Sequence, residues 1–335
     1  MINPHFADMA RQRAFQRHTS GLKQKISVLG NELAKGVVSD KTRHLGGEFS
    51  LLAGVTKSLD LASARQRIAK DAQLFLEVQQ LVVQDIQNTA QQSLLDLRVL
   101  DNNTYRTSLT TGTNIMVAGL DQVVGRMNTT LADRSVMAGM ASNAPAVAPS
   151  EALLDALMAD LPAAASAQTI HDHVTQWFAP GGGFDNMGYT GGAAPQVSLD
   201  LGPGKSASLD VTAQDPALRG TLAAFATGAL VARGVLAHDA TAQRALLERA
   251  SGDLAQADTA LTSLASRIGA EEALVAEASS RAAAEYTAMG LARAKLVEAD
   301  PFEAATRLEG AISQLDMIYT LTARLSRLSL SEYLR

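Results

Sequence analysis

The chain contains no cysteine. A disulfide framework and every cysteine-based zinc site are therefore excluded, while the redox compartment stays open, because reducing and oxidising surroundings both accept a chain without thiols. Aromatic residues are scarce: eight Phe, five Tyr and one Trp, 4% of 335 residues. Ligand clefts are lined mainly by apolar and aromatic side chains, so a large concave site has little to be built from. Long apolar runs are missing as well. No window approaches the ~18 apolar residues needed to cross a bilayer, so no membrane insertion is expected. The opening Met1-Ile2-Asn3-Pro4-His5-Phe6-Ala7-Asp8 has no apolar stretch of the secretory type. Composition alone reads as cytoplasmic.

The formal net charge of −5 and the pI near 5.7 give no overall nucleic-acid footprint, and no nucleic-acid partner is expected. The balance is uneven along the chain. Residues 1–70 hold 12 Lys/Arg against 5 Asp/Glu, a net of +7, and the remainder therefore carries −12. A basic end can serve as a nucleic-acid arm or a membrane-surface helix; here it is read as a solvated helix face or a subunit contact.

What the chain has in abundance is Ala, Leu, Gln and Arg, the composition of extended helices, with enough length for two or three domains. Leu22, Ile26, Leu29 and Leu33 step by four, three and four, which sets them on one side of a helix ending near Gly36. Leu61, Ile68, Phe75 and Val82 follow at intervals of seven, with Ala64, Ala72, Val78 and Ile86 between them. Asp101-Asn102-Asn103 reads as a break, since short polar side chains compete for backbone hydrogen bonds. A third stripe holds Val117, Leu120, Val124, Met127 and Leu131.

The C-terminal third repeats the pattern. Gly252-Asp253 is read as the start of a helix with Leu254, Ala257, Leu261, Leu264, Ile268 and Val275 on one stripe. Continued to Ala299 it would be roughly 70 Å long at ~1.5 Å per residue, a length suited to a rod. Asp300-Pro301-Phe302-Glu303 restarts a helix, with Asp300 as cap, Pro301 at the first position and Glu303 as capping-box acid. Leu308, Ile312, Leu315, Ile318, Tyr319, Leu325 and Leu328 then run almost to the last residue.

Residues 135–250 differ. A Pro/Ala linker at 144–150 precedes a short helix with Leu153 and Leu157, and Pro180-Gly181-Gly182-Gly183 is a loop. Val197–Leu201 alternates, Gly202-Pro203-Gly204-Lys205 turns, and Ser208–Val211 alternates again, a hairpin near 196–212. Asp215-Pro216 caps another helix.

No chemical constellation stands out. His171 and His173 are one residue apart, which suits a shared metal only on a strand or loop, and no Cys joins them; they read as surface histidines. Gly181-Gly182-Gly183 lacks the Lys-Ser/Thr of a phosphate loop, and Leu45-Gly46-Gly47-Glu48-Phe49 lacks a third glycine and a βαβ setting. No G-x-S-x-G elbow occurs. His44 beside Arg43 and Glu48 sits in a basic, polar connector rather than a pocket. Catalytic, cofactor and metal residues are therefore expected to be none, and the chain is read as a non-enzyme.

Two helical ends around a variable middle form the plan of the flagellin superfamily, which the residues resemble. Gly21–Gly36 is similar to that family's first helix, with its L-x-x-x-I-x-x-L-x-x-x-L-x-x-G rhythm, and Leu321–Arg335 resembles its apolar C-terminal end. The chain resembles the hook–filament junction (hook-associated) proteins more than the filament flagellins. The flagellin loop N-x-A-x-D-D-A-A-G is replaced by Ser39–Glu48. Arg134–Gly139 resembles the junction family's step out of the core without its aromatics, and Gly188-Tyr189-Thr190-Gly191 resembles part of its insert. The resemblance covers about residues 10–135 and 195–335.

It implies a mostly α protein: terminal helices paired as a coiled coil (1–50 and 300–335), a helical rod (51–135 and 236–299), and a small outward-facing α/β insert with a β-hairpin (136–235). It implies a structural role in the bacterial flagellum, with export through the flagellar channel and no cofactor. Leu22, Ile26, Leu29, Leu33, Leu315, Ile318, Leu325 and Leu328 would form the assembly interface. Implied partners are copies of itself in a helical ring, a neighbouring hook-side junction protein, flagellin, and an export chaperone on the C-terminal helix. A filament flagellin and a soluble coiled-coil interaction module are the alternatives.

Overall fold

In the computed structural model, the described residues form nine α-helices, two short hairpins and one π-helical turn. The backbone is described for residues 4–100, 105–162, 166–193, 198–202 and 206–333, and side chains within these except at 4–12, 99–100, 105–108, 198–200 and 325–333. The fold is mostly α with a β-hairpin. Two compact units divide it: a terminal unit of residues 1–63 with 283–335, and a middle unit of residues 64–282.

In the terminal unit, α1 (Pro4–Lys35) ends where Gly36 takes φ +65, a left-handed value that glycine adopts without Cβ strain. The chain then meets the end of α8: Val38 N–H donates to the Val297 carbonyl (3.0 Å) and Ala299 N–H to that of Gly36 (3.0 Å). This antiparallel bridge, Val37 opposite Glu298, ties the end of α1 to the start of α9 (Pro301–Tyr333). The two terminal helices therefore run antiparallel and pack on each other. The Asp300 carboxylate accepts from the N–H groups of Phe302 (2.8 Å) and Glu303 (3.1 Å), with Pro301 at the first helical position. Glu303 pairs with Arg307 one turn later. A four-residue helix, α2 (Lys41–His44), capped by Asp40, lies in the connector before α3 (Ser50–Leu100).

The middle unit is closed by one continuous core that extends from Ala69 on α3 to Ala278 on α8 (Ala240–Val297). Its centre is α7 (Pro216–Ala232), in which Leu218, Leu222, Phe225 and Leu230 are fully buried. A helix apolar on every side has no face to leave in water. Against it lies α4 (Tyr105–Met127) in close contact: a Cβ on Gly119 would stand 2.2 Å from the Phe225 ring, and one on Gly228 would stand 2.4 Å from Met116. A tight hairpin, β1 (Thr130–Leu131) with β2 (Arg134–Ser135), follows α4; α5 (Ser150–Asp160), α6 (Ala167–Phe178) and the π turn Phe184–Gly188 complete the core. The second hairpin pairs β3 (Ser198–Asp200) with β4 (Ser206–Ser208), Leu199 opposite Ala207. The expected hairpin is present, but its second strand starts at Ser206, before the alternating Ser208–Val211.

Several other expectations are corrected. Residues 136–235 do not pack by themselves; Val136, Leu153, Trp177 and Leu222 belong to the same core as Leu76 and Leu261. The stripe on α3 is displaced by one residue. Ala62, Ala69, Leu76, Val83 and Ala90 are buried at intervals of seven, whereas Leu61 and Ile68 are exposed and Phe75 is half-buried; Val82 is buried. Alanines occupy three of these five inner positions, and the larger neighbours Leu61 and Ile68 that drew the reading face outward. Helix α8 begins at Ala240, capped by Asp239, not at Gly252. Its stripe from Leu254 to Val275 is buried as expected. The break expected at Asp101-Asn102-Asn103 lies outside the described residues.

Candidate assembly surface

The α1–α9 seam is built from Leu22, Leu29, Ala311 and Ile318, all buried, with Phe15, Ile26, Leu308 and Leu315 partly buried beside them. Lys23 holds its ammonium 5.9 Å from the centre of the Tyr319 ring at the edge of this seam. Five of the eight expected interface residues thus meet in one place. Leu33 does not. It keeps the phase of Leu22 and Leu29 but is 40% exposed, at the end of the seam where α9 begins and contributes only Ala304. The side chains of Leu325 and Leu328 lie outside the described residues.

Among its described residues the terminal unit buries little else: apart from the seam, the buried apolar ones are Ala62, Val297, Ala299 and Ala304. Most of the large apolar side chains that the described residues leave exposed are here, among them Phe302 (82%), Leu51, Leu291 and Met317 (62% each). Scattered exposed leucines are ordinary on any surface. Their concentration on helices with so small a core is not, because helices of this kind owe most of their stability to packing of an apolar face. The face of α1 turned away from the seam is polar and basic: Arg13 and Arg17 line a shallow depression of about 590 Å³ with Gln16 and Ser20.

Polar chemistry in the middle unit is structural in form. Arg219 is buried, and its guanidinium donates to the carbonyls of Gln214 (2.7 Å), Phe178 (3.1 Å) and Ala179 (3.3 Å) and pairs with Asp185. It also lies 5.1 Å from the Phe184 ring centre, within a cluster of Trp177, Phe178, Phe184 and Tyr189. Burial acts to raise the Asp185 carboxyl, but the Gly181 N–H, the Arg219 guanidinium and the Gln214 amide outweigh it and hold it below the ordinary 3.8. Nothing in the spacing of residues 185 and 219 announced this pair; the concentration of aromatics between 177 and 189 was the available signal.

His171 and His173 sit on α6 and diverge. The His171 Nε2 is 2.8 Å from Asp253 on α8, and the His173 Nε2 is 3.2 Å from Asp160, an ion-pair distance without hydrogen-bond geometry. Among the described residues no three His, Asp or Glu side chains converge in a way that could hold a metal ion. No described helix is long and apolar enough to cross a membrane. A polar depression of about 510 Å³ between α3 and α4 is lined by Asp85, Asn88, Thr89, Gln122, Gly125 and Arg126, with Arg126 already paired to Asp85 at 3.3 Å. His44 lies on the exposed α2. The chain matches no protein-family model and no curated protein.

Proposed function

We propose that the chain is a non-enzymatic structural subunit of an extracellular helical filament, joining hook to filament in a bacterial flagellum. The observation that carries the reading is the terminal unit, in which the described residues bury a seam of four between the paired helices and leave large apolar side chains such as Phe302, Leu51 and Met317 open. Such a unit gains apolar burial when further helices cover it, as they do in a polymer of identical subunits. The resemblance of Gly21–Gly36 and Leu321–Arg335 to flagellin-superfamily ends names the polymer. Its partners in this reading are copies of itself in a helical ring, a hook-side junction protein, flagellin, and an export chaperone on the C-terminal helix.

The test is gene deletion followed by electron microscopy of the purified organelle with labelled protein. Bare hooks with flagellin released to the medium, together with label confined to the hook–filament boundary, support the junction role. Label along the whole filament makes the chain a flagellin. Filaments intact after deletion, with the protein recovered only from cytosol, overturn the proposal in favour of a coiled-coil interaction module.

A further inference from the structure

Helix α3 carries a second heptad row on the side away from the core. Leu74, Leu81 and Leu95 are 50%, 60% and 55% exposed, and Asn88, also exposed, holds the remaining place in the same seven-residue series. Leu74, Leu81 and Asn88 each stand two residues before a member of the buried stripe, Leu76, Val83 and Ala90. At about 100° per residue, two residues carry a side chain to the opposite side of the helix. The row runs for roughly 32 Å at ~1.5 Å per residue, and all of it lies within the middle unit. A single exposed leucine needs no explanation. Three on one line at the spacing of a coiled-coil seam form a face without a partner.

The two edges of this row differ in charge. A helix places residues three and four apart side by side. One edge is therefore lined by Lys70, Glu77, Gln84, Gln91 and Arg98, and the other by Asp71, Val78, Asp85 and Gln92. Lys70 and Asp71 are exposed, and neither has an ion-pair partner among the described residues. Gln84 is exposed as well, and Asp85 is paired to Arg126 at 3.3 Å.

A second copy of the row fits in one direction. When two identical helices lie parallel about a two-fold axis, each seam residue meets its own counterpart, and one edge faces the opposite edge of the other helix. Lys70 then stands beside the partner's Asp71, and Gln84 beside the partner's Asp85, each contact occurring twice by symmetry. Leucine meets leucine at three levels, and Asn88 meets the partner's Asn88. Antiparallel helices instead set each edge against itself. Lys70 then approaches the partner's Arg98, Asp85 approaches the partner's Asp85, and Leu81 lies against the partner's Asn88. One asparagine in a seam fixes register in this way, because the amides satisfy each other in register and are left unpaired against leucine.

We infer that the outer face of α3 pairs, parallel and in register, with the same face of a second copy of this chain through Leu74, Leu81, Asn88 and Leu95. The occupant follows from charge complementarity: the unpaired Lys70 and Asp71 match across a parallel two-fold axis and nowhere in the antiparallel arrangement. The contact lies within the middle unit and does not rest on the polymer reading above.

Sedimentation of the full chain from about 1 μM to about 1 mM, the range of modest dimers, tests it. Leu81→Glu should raise the dissociation constant at least roughly tenfold, because it sets two carboxylates in the seam. Lys70→Asp should raise it about threefold, and Lys70→Asp/Asp71→Lys should return it to the wild-type value. Circular dichroism melts identify a variant that has lost its fold; Leu81→Gln then replaces Leu81→Glu, with a smaller rise expected. Direction is read by disulfide trapping, which has no background in a chain without cysteine. Leu74→Cys and Leu95→Cys chains are mixed in equal amounts, oxidised with glutathione disulfide and analysed by peptide mass. Parallel pairing joins like chains, and antiparallel pairing joins unlike ones. Cross-links between like chains, together with weaker association of Leu81→Glu, support the inference. Cross-links between unlike chains, association that Leu81→Glu leaves unchanged, or a wild-type chain that stays monomeric throughout each overturn it. None of these results bears on the polymer reading, which deletion and labelling at the hook decide.

Discussion

Leu29 is 5% exposed and belongs to the buried α1–α9 seam. Replacing it with alanine removes one of the two buried leucines in that seam among the described residues. In a closed core a Leu→Ala change costs ~2–5 kcal/mol, the larger values where the cavity cannot collapse. The seam is two helices thick and open to solvent at its flanks, so the cavity relaxes and the cost falls near the lower end, about 2 kcal/mol. At about 1.4 kcal/mol per tenfold change, that is roughly a 30-fold rise in the population of the opened seam. The expected outcome of Leu29→Ala is therefore local. Amide hydrogens of α1 and α9 should exchange roughly 30-fold faster, while those of α4 and α7, whose core contains neither helix, keep their wild-type rates. Association should be lost in the same variant if, as proposed, the seam is the platform on which neighbours settle. Faster exchange throughout the chain would refute the reasoning, since it would show the seam and the middle core opening as one unit. Local loss of protection with assembly unchanged would refute the claim that the seam carries the assembly surface.

Gly119→Ala should destabilise the middle unit by about 1–3 kcal/mol despite the better helix propensity of alanine, because its Cβ would meet the Phe225 ring at 2.2 Å; chemical denaturation measures this, and Phe225→Leu in the same chain should restore part of it. Asp185→Asn should flatten the acid limb of the stability profile. The lowered folded-state pKa contributes stability that is fully present above the ordinary value of 3.8 and is lost as pH falls through the folded one, so melting temperatures recorded from about pH 6 down to pH 2.5 should fall less steeply in the variant, from a lower starting point. Ala132→Gly should raise the melting temperature by roughly 2–4 °C, as Ala132 holds φ +48 at the tip of the β1–β2 turn and relief of that strain amounts to about 1 kcal/mol.

The helical ends and their antiparallel pairing were legible because the signals there are local. The cap at Asp300-Pro301, the stop at Gly36 and the three-four stepping of Leu22, Ile26 and Leu29 each depend on residues within one or two turns. The one-residue displacement on α3 shows where such reading stops. Leu61 and Ile68 are larger and more apolar than Ala62 and Ala69, yet the alanines are buried, because which face is covered is set by the tertiary fold and not by the hydrophobicity of single positions. The Pro- and Gly-rich stretches at 144–150 and 180–183 mark turns in the middle unit, not its edges. What decides membership there is α7, whose run from Leu218 to Leu230 is buried almost throughout, Arg219, Thr221 and Thr227 included, and mostly apolar, and so calls for helices around it. That pattern was present in the sequence, and weighting it above the turn signals would have joined residues 136–235 to the flanking helices. The Arg219–Asp185 pair could not be read in this way, since only the folded path of α6 and α7 brings residues 34 apart into contact.

In the proposed polymer the two units would divide the stabilising and the associating roles. In the middle unit α7 is enclosed, the buried guanidinium of Arg219 has a carboxylate and three carbonyls, and Gln79, fully buried, donates to the carbonyls of Val136 (2.9 Å) and Val211 (3.0 Å), although its own side-chain oxygen accepts no hydrogen bond among the described residues. It too leaves some large apolar side chains in solvent, Met140 (73%) and Leu81 (60%) among them. The terminal unit has the smaller core among the described residues, the seam of Leu22, Leu29, Ala311 and Ile318, with Phe302, Leu51, Leu291 and Met317 in solvent. Free energy withheld from the monomer in this way becomes available on contact. In the proposed polymer, the middle unit would keep the chain folded while the exposed apolar side chains of the terminal unit drive association when copies meet.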